Sequence, residues 1–226
     1  MSEEPRPAAT VVVVRDAAGG LEVLLLERAR RAGRHEPAAW VFPGGRIEAE
    51  DRAGRGASVE EHARRAAVRE AREEAGLELH APSLLPISRW ITPEIAERRF
   101  DTWFFLQAVA SEAEVRVDGV EIAAHRWLAP GSALEAHRRG EIRLAPPTFV
   151  TVCWLEEHPA AGAALDALGR AETLVFRPRI CPQEGGACIL YPGDAGYESG
   201  DPARPGDRHR LWALRDGYRY ERSRRV

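Results

Sequence analysis

The sequence predicts an α/β chain, and three observations predict it. Two short aliphatic runs, residues 8–14 and 21–26, flank the turn signal Asp16-Ala-Ala-Gly19-Gly20. One long helical pattern, Ser58 to Gly76, stands between strand-like segments. Further strand patterns at 84–92 and 102–110 precede a helical tract that begins near Gly131.

Taken in order, the two aliphatic runs read as a hairpin of the central sheet. The stretch from Arg28 to Pro37 is rich in arginine and glycine and reads as a loop, after which Trp40-Val41-Phe42 is a short strand that delivers Pro43-Gly44-Gly45. Glycines there let the backbone come close to a phosphate or a metal. Arg28, Arg30, Arg31 and Arg34 lie just upstream, and guanidinium pairs with phosphate bidentately, so one or two of them are candidates to clamp an anionic substrate. Glu48, Glu50 and Asp51 follow and read as solvated loop acids before the flexible Arg52-Ala-Gly54-Arg-Gly56.

The helix begins at Ser58, with Glu61 completing a capping box, and stops at Gly76, which suits a left-handed terminus. At helical spacing Glu70, Glu73 and Glu74 share one arc, while Ala67, Ala71, Ala75 and Val68 form the adjacent apolar one. The small alanines allow close approach to a sheet, which fixes the height of the acids. Glu61–Arg65 and Arg69–Glu73 are spaced as helix-stabilising pairs, but Glu70 and Glu74 are like charges one turn apart, a spacing that costs a few tenths of a kcal/mol unless a cation lies between them. Clustered carboxylates are the hard oxygen ligands that Mg²⁺ or Mn²⁺ prefers.

Arg69-Glu70-Ala71-Arg72-Glu73-Glu74-Ala75-Gly76-Leu77 resembles the second half of the Nudix box, and Phe42-Pro43-Gly44-Gly45 resembles the segment that opens it. The box spacing departs from the family pattern. Counted from Gly45 the central acid is Asp51; counted back from Arg69 it is Glu61, so the intervening loop is about ten residues longer than usual. Trp90-Ile-Thr92-Pro93, Arg99 to Leu106, Leu144-Ala-Pro146-Pro147-Thr148, Tyr191-Pro192-Gly193-Asp194 and His209-Arg210 are similar to the peroxisomal-type coenzyme A diphosphatases of that family, which also carry an insertion in the box. In the segment before the box Leu25, Leu26 and Arg34 match those enzymes, whereas Glu27, Ala29, Arg30 and Ala38 depart from them.

The resemblance implies a Nudix-type α/β/α sandwich with a mixed central sheet and a largely helical C-terminal extension. It implies Glu70, Glu73 and Glu74 as ligands of Mg²⁺ or Mn²⁺, and Arg69 as the residue that orients a glutamate without touching substrate. Glu73 or Glu121 would help deprotonate the attacking water, Glu121 being the acid of a segment that ends in Trp127 and resembles the family's acid-then-tryptophan segment. Arg34, Gly44, Gly45 and Arg99 would contact the substrate, a small-molecule nucleoside diphosphate derivative. Coenzyme A or an acyl derivative is the first choice, ADP-ribose or a nucleotide sugar the second, and a binding module that senses a nucleotide without cleaving it is the reading from another class. A homodimer is compatible with the family.

Beyond Pro130 helical patterns run over 131–139, 147–158 and 160–170, and strand-like segments return at 173–176, 187–191 and 209–214, with Asp216-Gly217 as a hairpin turn. The absence of a repeat or long linker predicts one domain over 1–226, with a core of about 8–130 and an extension of about 131–226 packed on it. In 226 residues, 44% are hydrophobic and 30% charged, the balance of a soluble globular protein. All 32 basic residues are arginine and the formal net charge is −3, which gives no reason to expect nucleic acid as partner. Cys153, Cys181 and Cys188 have neither zinc nor disulfide-framework spacing, and no histidine pair has metal-ligand spacing. No apolar run approaches the roughly 20 residues of a bilayer span, so no membrane association and a cytoplasmic location are expected; the terminal Ser-Arg-Arg-Val is not the Ser-Lys-Leu peroxisomal address.

Overall fold

In a computed structural model, residues 4–29, 39–53 and 56–223 are described. The first strand, β1 (Arg6–Ala17), is the axis of the sheet. Val11, Val12, Val13 and Val14 are all fully buried, because alternate valines enter different cores on the two faces. The expected hairpin partner is β2 (Gly20–Arg28), and both strands run longer than their aliphatic centres.

Short strands β3 (Ala39–Val41) and β4 (Gly44–Arg46) follow; β5 (Leu85–Ile91) and β6 (Phe100–Ala108) lie where strand patterns are expected, and β7 (Ile122–Leu128) comes after them. With β8 (Arg143–Leu144) and β9 (Leu174–Phe176) they complete a nine-stranded sheet ordered β8-β3-β2-β1-β6-β5-β9, with β4 on β1 and β7 on β2. The sheet is mixed, since β1–β6, β3–β8 and β5–β9 are parallel and the other pairs antiparallel.

Helix α1 (Val59–Ala75) covers one face. Its capping box is complete, with Ser58 N–H donating to Glu61 at 2.6 Å and Glu61 N–H to the Ser58 hydroxyl at 3.2 Å, and Gly76 ends it at φ 66°. Ala63, Ala66, Ala67, Ala71 and Ala75 are buried against Ala9, Val11 and Val13 of β1 and Phe105 of β6. Glu61 is occupied by the cap, so the expected Glu61–Arg65 pair is replaced by Glu60–Arg64 at 2.7 Å.

Helices α2 (Pro130–Arg138), α3 (Pro146–Glu156) and α4 (Ala161–Arg170) cover the other face, which makes the expected α/β/α sandwich. The extension is thus helical to Arg170. Beyond β9 it becomes a separate antiparallel sheet, β10 (Arg179–Gln183), β11 (Gly186–Leu190), β12 (His209–Leu214) and β13 (Gly217–Arg222). Ile189, Tyr191 and Leu211 join this second sheet to the core beneath α2 to α4. Among the described residues no helix is long and apolar enough to cross a membrane.

Candidate functional site

The site begins where β4 lies on β1, with Gly44 opposite Thr10 and Gly45 opposite Ala9. The Thr10 hydroxyl donates to the Pro43 carbonyl at 2.6 Å and holds the Phe42-Pro43-Gly44 corner. A Cβ at Gly44 would stand 2.4 Å from Thr10 Oγ1 and 2.5 Å from the Ala9 carbonyl oxygen; one at Gly45 would stand 2.3 Å from Glu70 Oε1. Close approach is why both are glycine. What approaches Gly44 is the sheet, and what approaches Gly45 is an acid of α1.

Arg69 organises the acids. Its Nη2 donates to Asp51 Oδ2 and to the Arg46 carbonyl, each at 3.0 Å, while Nη1 donates to Glu70 Oε1 and Glu73 Oε2, each at 2.9 Å. Its Nε lies 3.3 Å from both Asp51 Oδ1 and Glu50 Oε1. Burial alone would lower the Arg69 pKa, but Asp51 and Glu70 outweigh it and hold the guanidinium above its usual value. This corrects the reading of Asp51 as a solvated loop acid: it is 4% exposed, accepts the Glu48 N–H at 2.9 Å and anchors the arginine from beneath. The structure also decides between the two acids that the box spacing offered. Asp51 meets Arg69 and Glu61 caps the helix, so the extra residues lie between Asp51 and Arg69 and take in the first turns of α1.

Glu74 is 5% exposed and accepts the Gly44 N–H at 2.9 Å. Burial raises its pKa to about 7; the Gly44 N–H and Arg28 oppose the rise, and the nearby charges of Glu70 and Glu121 add to it. Burial likewise raises Glu70, offset in part by Arg69. Two part-desolvated carboxylates one turn apart, with the charge of Glu70 making Glu74 harder to ionise, call for a cation between them.

Among the described residues no three acids, histidines or cysteines are gathered tightly enough to enclose a metal ion. The donor set nevertheless fits Mg²⁺ or Mn²⁺ in kind. Glu70 and Glu74 offer hard oxygens, and Mg²⁺ is commonly held by one or two carboxylates with waters completing the octahedron. Glu73, half exposed, is engaged by Arg69.

A cavity of about 680 Å³ opens over the glycine pair. Thr10, Gly44, Gly45 and Arg46 line one end, Arg28 and Phe42 stand beside them, and Phe100, Trp90, Pro147 and Ile180 carry the wall away from the acids.

The structure brings Arg69, Glu70, Glu73, Glu74, Gly44 and Gly45 together, with Glu121 exposed and near enough to Glu74 to raise its pKa. Arg99 is not on the cavity wall. Its Nε donates to the Thr92 carbonyl at 3.3 Å, which places it next to Thr92 and Phe100 of that wall. Arg34, with Arg30 and Arg31, lies outside the described residues. Of that cluster Arg28 lines the cavity, and Arg46 does so as well; Arg46 had no sequence signal beyond its place after Gly45.

Residues 4–149 match the family model described as NUDIX domain. Two curated relatives are acyl-coenzyme A diphosphatases NUDT19. That of Homo sapiens is 33% identical over 120 residues, covering 49% of this chain and 31% of that protein; that of Xenopus laevis is 30% identical over 133 residues, covering 54% of this chain and 33% of that protein. The match therefore spans only about a third of those relatives' length. Among solved structures, a NUDIX hydrolase from Alicyclobacillus acidocaldarius aligns with TM-score 0.65 and 26% identity over 76% of this chain and 100% of that one.

Proposed function

The chain belongs to the NUDIX family, and on that premise we propose that it is a divalent-metal-dependent diphosphatase that cleaves coenzyme A or an acyl-coenzyme A into 3′,5′-ADP and a 4′-phosphopantetheine. The observation that carries the reading is Arg69, which ties Asp51, Glu70 and Glu73 into one unit beneath the glycine corner of a substrate-sized cavity. The printed activity of the NUDT19 relatives supports the choice of substrate.

In this reading Glu70, Glu73 and Glu74 hold the metal. Bound there, a divalent ion supplies charge neutralisation on the diphosphate oxygens and a lowered pKa for a water. Arg28 and Arg46 pair with non-bridging phosphate oxygens, where a guanidinium fork matches the geometry of the anion. Glu73 or Glu121, the exposed acids of the group, accepts the proton of the attacking water. Arg69 touches no substrate atom; it fixes Glu70 and Glu73 in one orientation and keeps their charge close to the reacting phosphorus. Asp51 holds Arg69 in turn.

The test compares kcat/KM with Mg²⁺ or Mn²⁺ for coenzyme A, an acyl-coenzyme A, ADP-ribose and a nucleotide sugar. Release of 3′,5′-ADP with preference for the coenzyme A compounds is expected. Preference for another diphosphate overturns the substrate but not the reaction; binding without cleavage of any of them identifies a nucleotide sensor.

A further inference from the structure

The cavity is unlike at its two ends, and the second sheet makes the difference. Of the 24 residues that line it, Arg28 and Arg46 are the charged ones, both near the glycine corner, and no aspartate, glutamate, asparagine or glutamine is among them. The far wall comes from Pro146 and Pro147 at the start of α3, inside the matched family segment, and from Pro178, Ile180, Ile189 and Tyr191, which lie beyond it.

The β10–β11 pair has two faces. Cys181 and Cys188 are register partners that are buried in a small core with Leu190, so the alternate residues, Ile180 and Ile189, also register partners, are turned the other way into the cavity. Ile189 is 9% exposed but Ile180 is 38% exposed, a large aliphatic side chain left part-open on a cavity wall. The aromatic residue most suited to sandwich a nucleobase is already occupied: Trp90 stacks on Phe176 with ring centroids 3.7 Å apart and planes 7° from parallel. Apart from the Thr148 and Tyr191 hydroxyls no polar side chain is on this wall, so a sugar or base here would lose more hydrogen bonds to water than it regains, whereas a hydrocarbon chain would lose none.

Resting on the reading above, we propose that this end of the cavity seats an unbranched apolar arm on the non-nucleotide half of the substrate, the acyl chain of a thioester, and that Ile180 and Ile189 of the second sheet set the preference for it. The phosphates lie at the glycine corner, the pantetheine arm leads away from them, and the acyl chain on its sulfur reaches β10.

The experiment measures kcat/KM for coenzyme A and a series of straight-chain acyl thioesters, with metal-free binding by calorimetry in chelator as a second readout. Wild type should gain up to about fourfold per methylene until the wall is covered, then level off. Ile180→Asp should cut the preference for a long acyl compound over free coenzyme A at least tenfold in both readouts, and Ile180→Trp should move the plateau to shorter chains. Val175→Thr, exposed but off the cavity, should keep the wild-type ratio and chain-length profile. A response indifferent to chain length overturns the inference, as does an equal loss for free and acylated compounds in the Ile180 variants, which would place the nucleotide half in this wall. No cleavage of any coenzyme A compound defeats the proposed function and this inference with it; cleavage without length dependence defeats the inference alone.

Discussion

Glu74→Gln separates the stability of the fold from its chemistry. Glu74 is 5% exposed and its pKa rises from the ordinary 4.5 to about 7, so between those values the folded chain binds a proton that the unfolded chain has released. Stability from this group is therefore full below pH 4.5 and is lost as pH rises through 7. The displacement corresponds to about 3 kcal/mol between pH 5 and pH 8 in the metal-free protein. Glutamine keeps the shape and still offers an oxygen to the Gly44 N–H, 2.9 Å away, without the charge. At pH 8 in chelator the variant should be more stable than wild type by up to about 3 kcal/mol, or roughly 6–12 °C in Tm for a chain of this size, and the two should converge near pH 5. Saturating Mg²⁺ should raise the Tm of wild type more than that of the variant, because one carboxylate ligand is gone. Urea and thermal unfolding at the two pH values provide the assay. A variant that is less stable than wild type at pH 8, or equally responsive to Mg²⁺, would refute the argument that burial and Glu70 make this carboxylate costly to ionise until a cation arrives.

Gly45→Ala puts a methyl group 2.3 Å from Glu70 Oε1, so the acid must turn away; kcat should fall by tenfold or more with little change in Tm, whereas Gly44→Ala meets the Ala9 backbone and should lower Tm as well. Asp51→Asn takes one charge from Arg69 while Glu70 and Glu73 still hold it, so unfolding in urea should show a loss of about 2 kcal/mol rather than the 3–5 of a fully broken buried pair. His209 is buried, with Nδ1 donating to the Pro192 carbonyl at 2.7 Å, and burial lowers its pKa from 6.5 to about 4. The unfolded chain then binds the extra proton, so His209 should cost up to about 3 kcal/mol of stability as pH falls from 6.5 toward 4, a slope that His209→Gln should flatten in pH-dependent denaturation.

The parts of the molecule written in local chemistry were legible in its sequence. The Ser58 cap, the alanine face and the Gly76 stop are determined within one helix, and the structure has all three. Helical spacing alone puts the three acids on one arc and Arg69 one turn before Glu73, while their roles come from the family resemblance. Strands set by pairing rather than by pattern were not legible: β8 is two residues long, and β10 contains Pro182 and alternates little, so only their partners make them strands. Asp51 was misread because an acid next to Arg52-Ala-Gly54 has the composition of a solvated loop, although its spacing from Gly45 was the available signal. The cavity draws on residues from Ala8 to Tyr191, and no local pattern announces a wall assembled over such separations.

The account stands most directly on Glu73, half exposed and held at 2.9 Å by Arg69. The decisive measurement is the release of 3′,5′-ADP from coenzyme A by wild type and by Glu73→Gln, each with saturating Mg²⁺ and with chelator. Wild type should release product only with the metal, and the variant should lose at least about a hundredfold in kcat, with Tm within a few degrees of wild type because its surface ion pair is worth no more than about 1 kcal/mol. Turnover in chelator, or wild-type turnover in the variant, would contradict the reading of this helix as the metal-bearing centre of a diphosphatase.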